Sequence, residues 1–235
     1  MAADKQKQQI VTIDGPSGGG KSTVSRALAA QLHFTYLDTG AMYRAVAFQC
    51  REQGIDPADA NRLEALLATL RIELLPPASG DDDVRVLVDG REIGSQLRTP
   101  EMGMLASKVS ALPQVRRTLT RLQQTIGAAG RIVAEGRDTG TVVFPAAAWK
   151  FFLDASPEVR ARRRAAQLRS KGEQVDERQL LAQIIQRDKD DRERSIAPLK
   201  AAPDALTIDS TGLSAAEVVR RMVDAIRANP CRGAE

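Results

Sequence analysis

Ile10-Val11-Thr12-Ile13-Asp14-Gly15-Pro16-Ser17-Gly18-Gly19-Gly20-Lys21-Ser22-Thr23 sets a short β-branched run directly against a glycine-rich loop. Gly15 to Ser22 fits G-x-x-x-x-G-K-[ST], and Ser22 to Leu32 then reads as a helix. Strand before and helix after is the context this pattern needs. Glycines let successive backbone N–H groups wrap a phosphate chain, and the helix amino terminus faces the same anion. Gly15, Pro16, Ser17, Gly18, Gly19, Gly20, Lys21, Ser22 and Thr23 are therefore the expected triphosphate-binding residues. Lys21 reaches the β- and γ-phosphates, and the Ser22 hydroxyl is the expected Mg²⁺ ligand. This is a nucleoside-triphosphate site.

Outward from the loop, strand-like and helix-like stretches alternate. Gln9–Ile13 opens the series, and Phe34–Leu37, Arg131–Ala134, Lys150–Leu153 and Ala205–Ile208 are further strand candidates, each followed by a helix-like segment. Such alternation predicts an α/β chain with a parallel sheet between two helical layers, a three-layer P-loop NTPase fold. Ser156-Pro157 places a cap before a first-turn proline, and Ser214 to Glu217 has capping-box spacing. The stretch from Arg71 to Gly103 breaks the rhythm. It holds Pro76-Pro77, Ser79-Gly80-Asp81-Asp82-Asp83, the run Val84–Val88 and the turn signal Asp89-Gly90, and reads as a small β-rich insertion.

Composition removes other chemistries. The 235 residues include two Cys and one His, so a four-ligand Cys/His zinc site is excluded by counting. A histidine-based nucleophilic centre would have to use His33, for which no role is expected. Cys50 reads as a packing residue, and Trp149 as core beside Phe151 and Phe152. Cys50 and Cys231 are too few for a disulfide framework, Met1 to Gln6 lacks an apolar leader, and no apolar run is long enough to span a bilayer. The expected setting is the cytoplasm, without a membrane partner. The net charge of +4 favours anionic ligands.

What the triphosphate serves is narrowed by the arginines. No Asn-Lys-x-Asp motif is present, which disfavours a switch GTPase, and the chain is too short for a motor head with a separate output domain. Arg160, Arg162, Arg163, Arg164 and Arg169 cluster on one predicted helix; Arg187, Asp191 and Arg194 follow at i, i+4, i+7 on another. Phosphoryl transfer between two anions needs such cations. An RNA-binding ATPase could also use a basic helix, but aromatic residues make up only 3% of the chain and offer few stacking platforms. A stable nucleic-acid partner is not expected.

Asp38-Thr39-Gly40-Ala41-Met42-Tyr43-Arg44, Gly136-Arg137-Asp138-Thr139-Gly140-Thr141-Val142-Val143-Phe144-Pro145, and the run from Arg187-Asp188 through Asp191 and Arg194 to Ala197-Pro198-Leu199 resemble bacterial cytidylate kinase. With the glycine loop they recur in that family's order, from about Ile10 to the last helix. The resemblance implies ATP and Mg²⁺ as cofactors and CMP and dCMP as acceptors, with UMP or another small acceptor as the same-class alternative. It places the acceptor's phosphate on Arg44, Arg137 and Arg194, its pentose on Asp191 and Arg187 with Tyr43 nearby, and its cytosine on Ser107, Arg116 and Asp138. Lys21, Arg137 and Arg194 are the implied catalytic residues, Thr39 lies beside the sugar, and Arg160, Arg164 and Arg169 belong to a lid. Position 39 is Thr where some members have Ser, and position 135 is Glu where some have Asp.

The implied layout is a core of about 8–38, 104–159 and 203–230, and a monophosphate-binding region of about 39–103 containing the insertion at about 71–103. A helical lid of about 160–175 precedes an arginine-rich helix of about 176–195. A monomer is expected.

Overall fold

The computed structural model describes residues 9–75, 84–170 and 172–229. In chain order the first elements are β1 (Ile10–Asp14), α1 (Lys21–Leu32), β2 (Thr35–Asp38), α2 (Thr39–Glu52), α3 (Ala60–Thr69), β3 (Ile72–Leu75), β4 (Arg85–Val88) and β5 (Arg91–Glu92). Then come α4 (Pro100–Ser110), α5 (Pro113–Gly127), β6 (Ile132–Gly136), β7 (Trp149–Asp154), α6 (Pro157–Arg169), α7 (Glu177–Glu193), β8 (Leu206–Asp209) and α8 (Ala215–Ala228). Two compact units divide the chain, Met1–Leu37 with Ile126–Glu235, and Asp38–Thr125.

The first unit is built on a five-stranded sheet of order β2-β6-β1-β7-β8. β1 pairs in parallel with β6 and β7, and β7 with β8. Every residue of β1 and β6 is buried, because helices cover both faces of the sheet. That is why these strands read as continuous apolar runs and not as alternations. Val11, Ile13, Val133, Phe151 and Leu153 of the sheet pack with Leu28 of α1 and Met222 of α8. Trp149 joins this core while its indole N–H donates to the Asn229 carbonyl at 3.2 Å. All five strand candidates lie in this sheet, and the glycine loop leaves the carboxyl end of the middle strand, where open α/β sheets bind ligands. The Ser156 cap and the Ser214–Glu217 capping box both form. Among the described residues no helix is long and apolar enough to cross a membrane.

The second unit holds α2, α3, α4, most of α5 and an antiparallel sheet of order β3-β4-β5. Asp89 (φ 51°) and Gly90 (φ 78°) form the two-residue turn between β4 and β5, both left-handed as a tight hairpin requires. The Asp89 carboxylate also accepts from Arg71 N at 2.9 Å, which fastens the start of the insertion.

Four expectations change. The strand at Ile132–Gly136 is followed by a single π-helical turn, Thr139–Val143, and not by an α-helix, because Asp14 captures the first two amides of that turn. Residues 104–125, expected in the core, belong to the second unit, where α4 packs on α2. His33, which the sequence gives as a buried or boundary histidine, is exposed and left-handed (φ 54°), ending α1 through N–H bonds to Ala29 and Ala30. Arg160 is not on a lid surface, as described below. Pro76-Pro77, Ser79 to Asp83, Lys171, Cys231 and the amino-terminal segment lie outside the described residues.

Candidate active site

The glycine loop folds back on its own lysine: Lys21 Nζ donates to the Pro16 carbonyl at 2.7 Å and the side chain is buried. Burial and the neighbouring Arg137 guanidinium push the Lys21 ammonium down to about 7, with Arg187 acting the same way and Glu135 and Asp14 opposing. A binding anion restores the charged form, so triphosphate binding takes up a proton whenever the free lysine is neutral. The sign follows. Above pH 7 the free protein loses this proton and the bound one keeps it, so ATP affinity falls by up to about tenfold per pH unit. Calorimetry at pH 8 in two buffers of different ionisation heat should register uptake of a proton, and its absence would contradict this reading.

Asp14 ends β1 immediately before the loop. Its Oδ1 accepts from Thr139 N at 2.8 Å and Thr139 Oγ1 at 2.7 Å, and its Oδ2 from Gly140 N at 2.7 Å. Burial pushes this carboxyl up despite those donors. The bonds tie the turn that follows Arg137-Asp138 to the glycine loop, so two segments 125 residues apart share one anchor.

Arg137, Asp138, Asp191 and Arg194 form a compact charged group. Arg137 Nε donates to Asp191 Oδ2 at 2.9 Å, while Arg194 Nη2 lies 3.4 Å from Asp138 Oδ1 and Arg194 Nη1 3.7 Å from Asp191 Oδ1. Arg194 Nε also holds the Ala197 carbonyl at 2.5 Å, which bends the chain just beyond α7. Burial pushes the Asp191 carboxyl up, but Arg137, Arg187 and Arg194 together hold it below its ordinary value. Asp138 is thus paired with Arg194. Glu135 accepts from the Tyr36 hydroxyl at 2.5 Å and adds a buried negative charge near Lys21.

In the second unit, Asp38 caps α2 by accepting from Ala41 N at 2.9 Å and pairs with Arg44 Nη2 at 2.9 Å. Thr39 is buried at the first turn. Arg116 is buried on α5, donates to the Ser110 carbonyl at 3.0 Å and stacks its guanidinium 5.7 Å from the Tyr43 ring. Ser107 lies one turn earlier on α4, and its carbonyl accepts from the Ser110 hydroxyl at 2.7 Å. The structure therefore gathers Lys21, Arg137, Asp138, Arg187, Asp191 and Arg194 in one unit, and Thr39, Tyr43, Arg44 and Arg116 in the other.

The lid residues separate. Arg160 is 1% exposed, with Nε on the Ala155 carbonyl at 2.8 Å, Nη1 on the Ser17 carbonyl at 3.0 Å and Nη2 against Asp188 Oδ2 at 2.5 Å. Three fixed acceptors leave it no freedom to close over a ligand. Arg164 bonds Gln167 at 2.7 Å on the helix surface, and Arg169 pairs with Glu177 at 2.7 Å. Asp14 and Asp188 were missed in the sequence. Asp14 had a signal, an acid ending an apolar strand beside the loop. Asp188 follows buried Ile184 by one turn and precedes buried Asp191, a stripe hidden among the neighbouring acids.

Similarity to known proteins agrees with this geometry. A family model described as cytidylate kinase matches residues 11–228. The cytidylate kinase of Carboxydothermus hydrogenoformans is 47% identical over 216 residues, covering 92% of this chain and 96% of that protein. That of Solibacter usitatus is 44% identical over 235 residues, covering 99% and 98%. Among solved structures, an uncharacterized protein from Eubacterium ventriosum aligns with a TM-score of 0.50 at 11% identity over 94% of this chain and 99% of that one, a likeness of fold alone. Taken with the glycine loop and the paired arginines and carboxylates behind it, these matches establish that the chain belongs to the cytidylate kinase family.

Proposed function

We propose that the protein transfers the γ-phosphoryl group of ATP to CMP and to dCMP. One observation carries the reading: Lys21 is buried in the glycine loop with its Nζ on the Pro16 carbonyl, and the same unit holds Arg137 and Arg194 together on Asp191. Cations held together against their own repulsion are arranged for anions that arrive later. Two phosphate-bearing substrates supply them.

Lys21 and the loop amides hold the donor's phosphates, and Arg44, Arg137 and Arg194 hold the acceptor's. An oxygen of the CMP phosphate forms the new bond to Pγ as the bond from Pγ to the bridging oxygen breaks, and that oxygen leaves with ADP. The attacking oxygen is already an anion, so no general base is required, and catalysis is positioning with charge stabilisation. Ser22 would hold Mg²⁺, which would supply positive charge against that of the transferring phosphates. Ser22 is exposed on the first turn of α1, and among the described residues no cluster of His, Cys, Asp or Glu could hold a metal by itself. That fits a cation delivered with the nucleotide.

Cytosine offers an exocyclic amine, for which the Asp138 carboxylate is the acceptor, with Arg116 and Ser107 completing the contact. Uracil places a carbonyl there and leaves Asp138 facing an oxygen. The pentose falls to Asp191 and Arg187. Because Asp191 already accepts from Arg137, a missing 2′-hydroxyl strands no buried charge, which supports dCMP as a second acceptor. The protein is read as a cytoplasmic monomer.

Asp138→Ala tests the base assignment. The kcat/KM ratio for CMP over UMP should fall by about 10²-fold or more, the scale on which buried polar groups discriminate. An unchanged ratio in the folded variant would remove Asp138 from base recognition.

A further inference from the structure

We infer that the buried Arg160–Asp188 pair is a positioning device that locks the phosphate loop to the helix carrying the acceptor-binding residues. The inference rests on the kinase reading above and adds residues to it.

The geometry has three parts. Arg160 Nη1 pins the Ser17 carbonyl at the crest of the glycine loop. Across a trans peptide the carbonyl and the following N–H point in opposite directions, so this bond aims the Gly18 amide away from Arg160. With Lys21 on the Pro16 carbonyl, two loop carbonyls are held aside by cations. That is the arrangement a ring of amides needs to face an anion. The fit is close, since a Cβ on Gly18 would meet both Cβ and the carbonyl oxygen of Arg160 at 3.3 Å.

Asp188 supplies the second part. It is 3% exposed, pairs with Arg160 through Oδ2, and its Oδ1 has no hydrogen-bond partner among the described residues. A carboxylate buried with one oxygen unbonded gains little stability for the fold, since apolar groups of like volume serve as well or better. Its position offers the reason for it. Asp188 adjoins Arg187, lies one turn before Asp191, and is set by the same helix that leads to Arg194. The third part is Arg160 Nε on the Ala155 carbonyl, which fixes the guanidinium to the carboxyl end of the inner strand β7. One planar fork thus sets the loop and α7 against a common reference. A lysine has no such fork.

The test compares wild type with Asp188→Asn and with the double variant Arg160→Gln/Asp188→Asn. The double variant removes both charges, leaves no unpaired ion buried, and so reads the clamp even where the single variant folds poorly. Turnover is measured well below each variant's Tm. Misplacement of reacting groups by about an ångström costs about 10²-fold in rate, so kcat should fall by about 30- to 100-fold, and the Kd for Mg·ATP should rise more in the double variant, which also releases the Ser17 carbonyl, than in Asp188→Asn. A role in stability alone lowers Tm and leaves kcat of the folded protein within threefold of wild type, and that result would overturn the inference. CMP turnover by wild type is read in the same assay. Its absence would count against the kinase reading, separately from any effect of the variants.

Discussion

Replacing Arg194 by Met should lower kcat by about 10³-fold or more and change the affinity for Mg·ATP little. The side chain is 8% exposed and stands between two carboxylates, at 3.4 Å from Asp138 and 3.7 Å from Asp191. Both separations exceed the roughly 2.7–2.9 Å of a tight charge-assisted hydrogen bond. The Nε bond to the Ala197 carbonyl and the two carboxylates together orient the guanidinium toward the position the transferring phosphoryl group would take. In a water-excluded site such a cation acts on the charge of the transferring group, and an arginine in that role is worth about 10³–10⁵ in rate. Met keeps most of the volume and the apolar stem. Asp191 retains Arg137 at 2.9 Å, so the local fold survives. Single-turnover kinetics on the folded variant separate the chemical step from binding. A loss below tenfold would remove Arg194 from the transferring phosphoryl group.

Gly15→Ala should be the most damaging change in the loop. A Cβ there would sit 2.0 Å from the Leu153 carbonyl oxygen, and the residue's φ is +150°. Both obstacles are backbone. Leu153 belongs to β7, which is paired on both sides, with β1 and with β8, so it cannot give way without parting the sheet. Either the strands separate or the loop leaves its position. The expected cost is on the order of 4 kcal/mol, the range of severe single-site damage, with loss of detectable nucleotide binding. Gly20→Ala is the matched control. It is also left-handed (φ +85°), but its Cβ would meet nothing within 4 Å. It carries only the conformational penalty of about 1–2 kcal/mol. Denaturant unfolding with and without nucleotide measures both, and equal losses in the two variants would contradict the contact argument.

The same positions show what the sequence could and could not convey. The loop was legible because its chemistry is local: strand, glycines, lysine and helix lie within about 20 residues. The three inner strands were legible because burial on both faces writes an apolar run, whereas the half-exposed edge strands β2 and β8 were read from their place in the alternation of strands and helices. Arg160 was not, since a helix rich in arginine looks the same whether a given guanidinium faces water or the Ser17 carbonyl 143 residues away. The missing helix after β6 has the same origin. Its turn is decided by Asp14, 125 residues earlier, and no local propensity records that contact. Arg137, Asp138, Arg187, Asp191 and Arg194 were singled out by family motif and helical spacing. Their mutual geometry, with Asp138 set against Arg194 and Asp191 against Arg137, came only from the fold. Ser107 and Arg116 were named as readers of the base, yet the unit they belong to was misjudged. The packing of α4 on α2 leaves no mark in the spacing of either helix.

The most direct test of the account is ADP formation from Mg·ATP with CMP, dCMP, UMP, AMP, GMP or no acceptor, each at matched concentration. The account predicts release that depends on CMP, with dCMP also used, and rates for AMP and GMP lower by at least about 10²-fold, as expected when a site's buried polar groups are left unpaired. Release independent of acceptor, or stimulated only by added RNA, would contradict it and sever Arg44, Arg137, Asp191 and Arg194 from the acceptor.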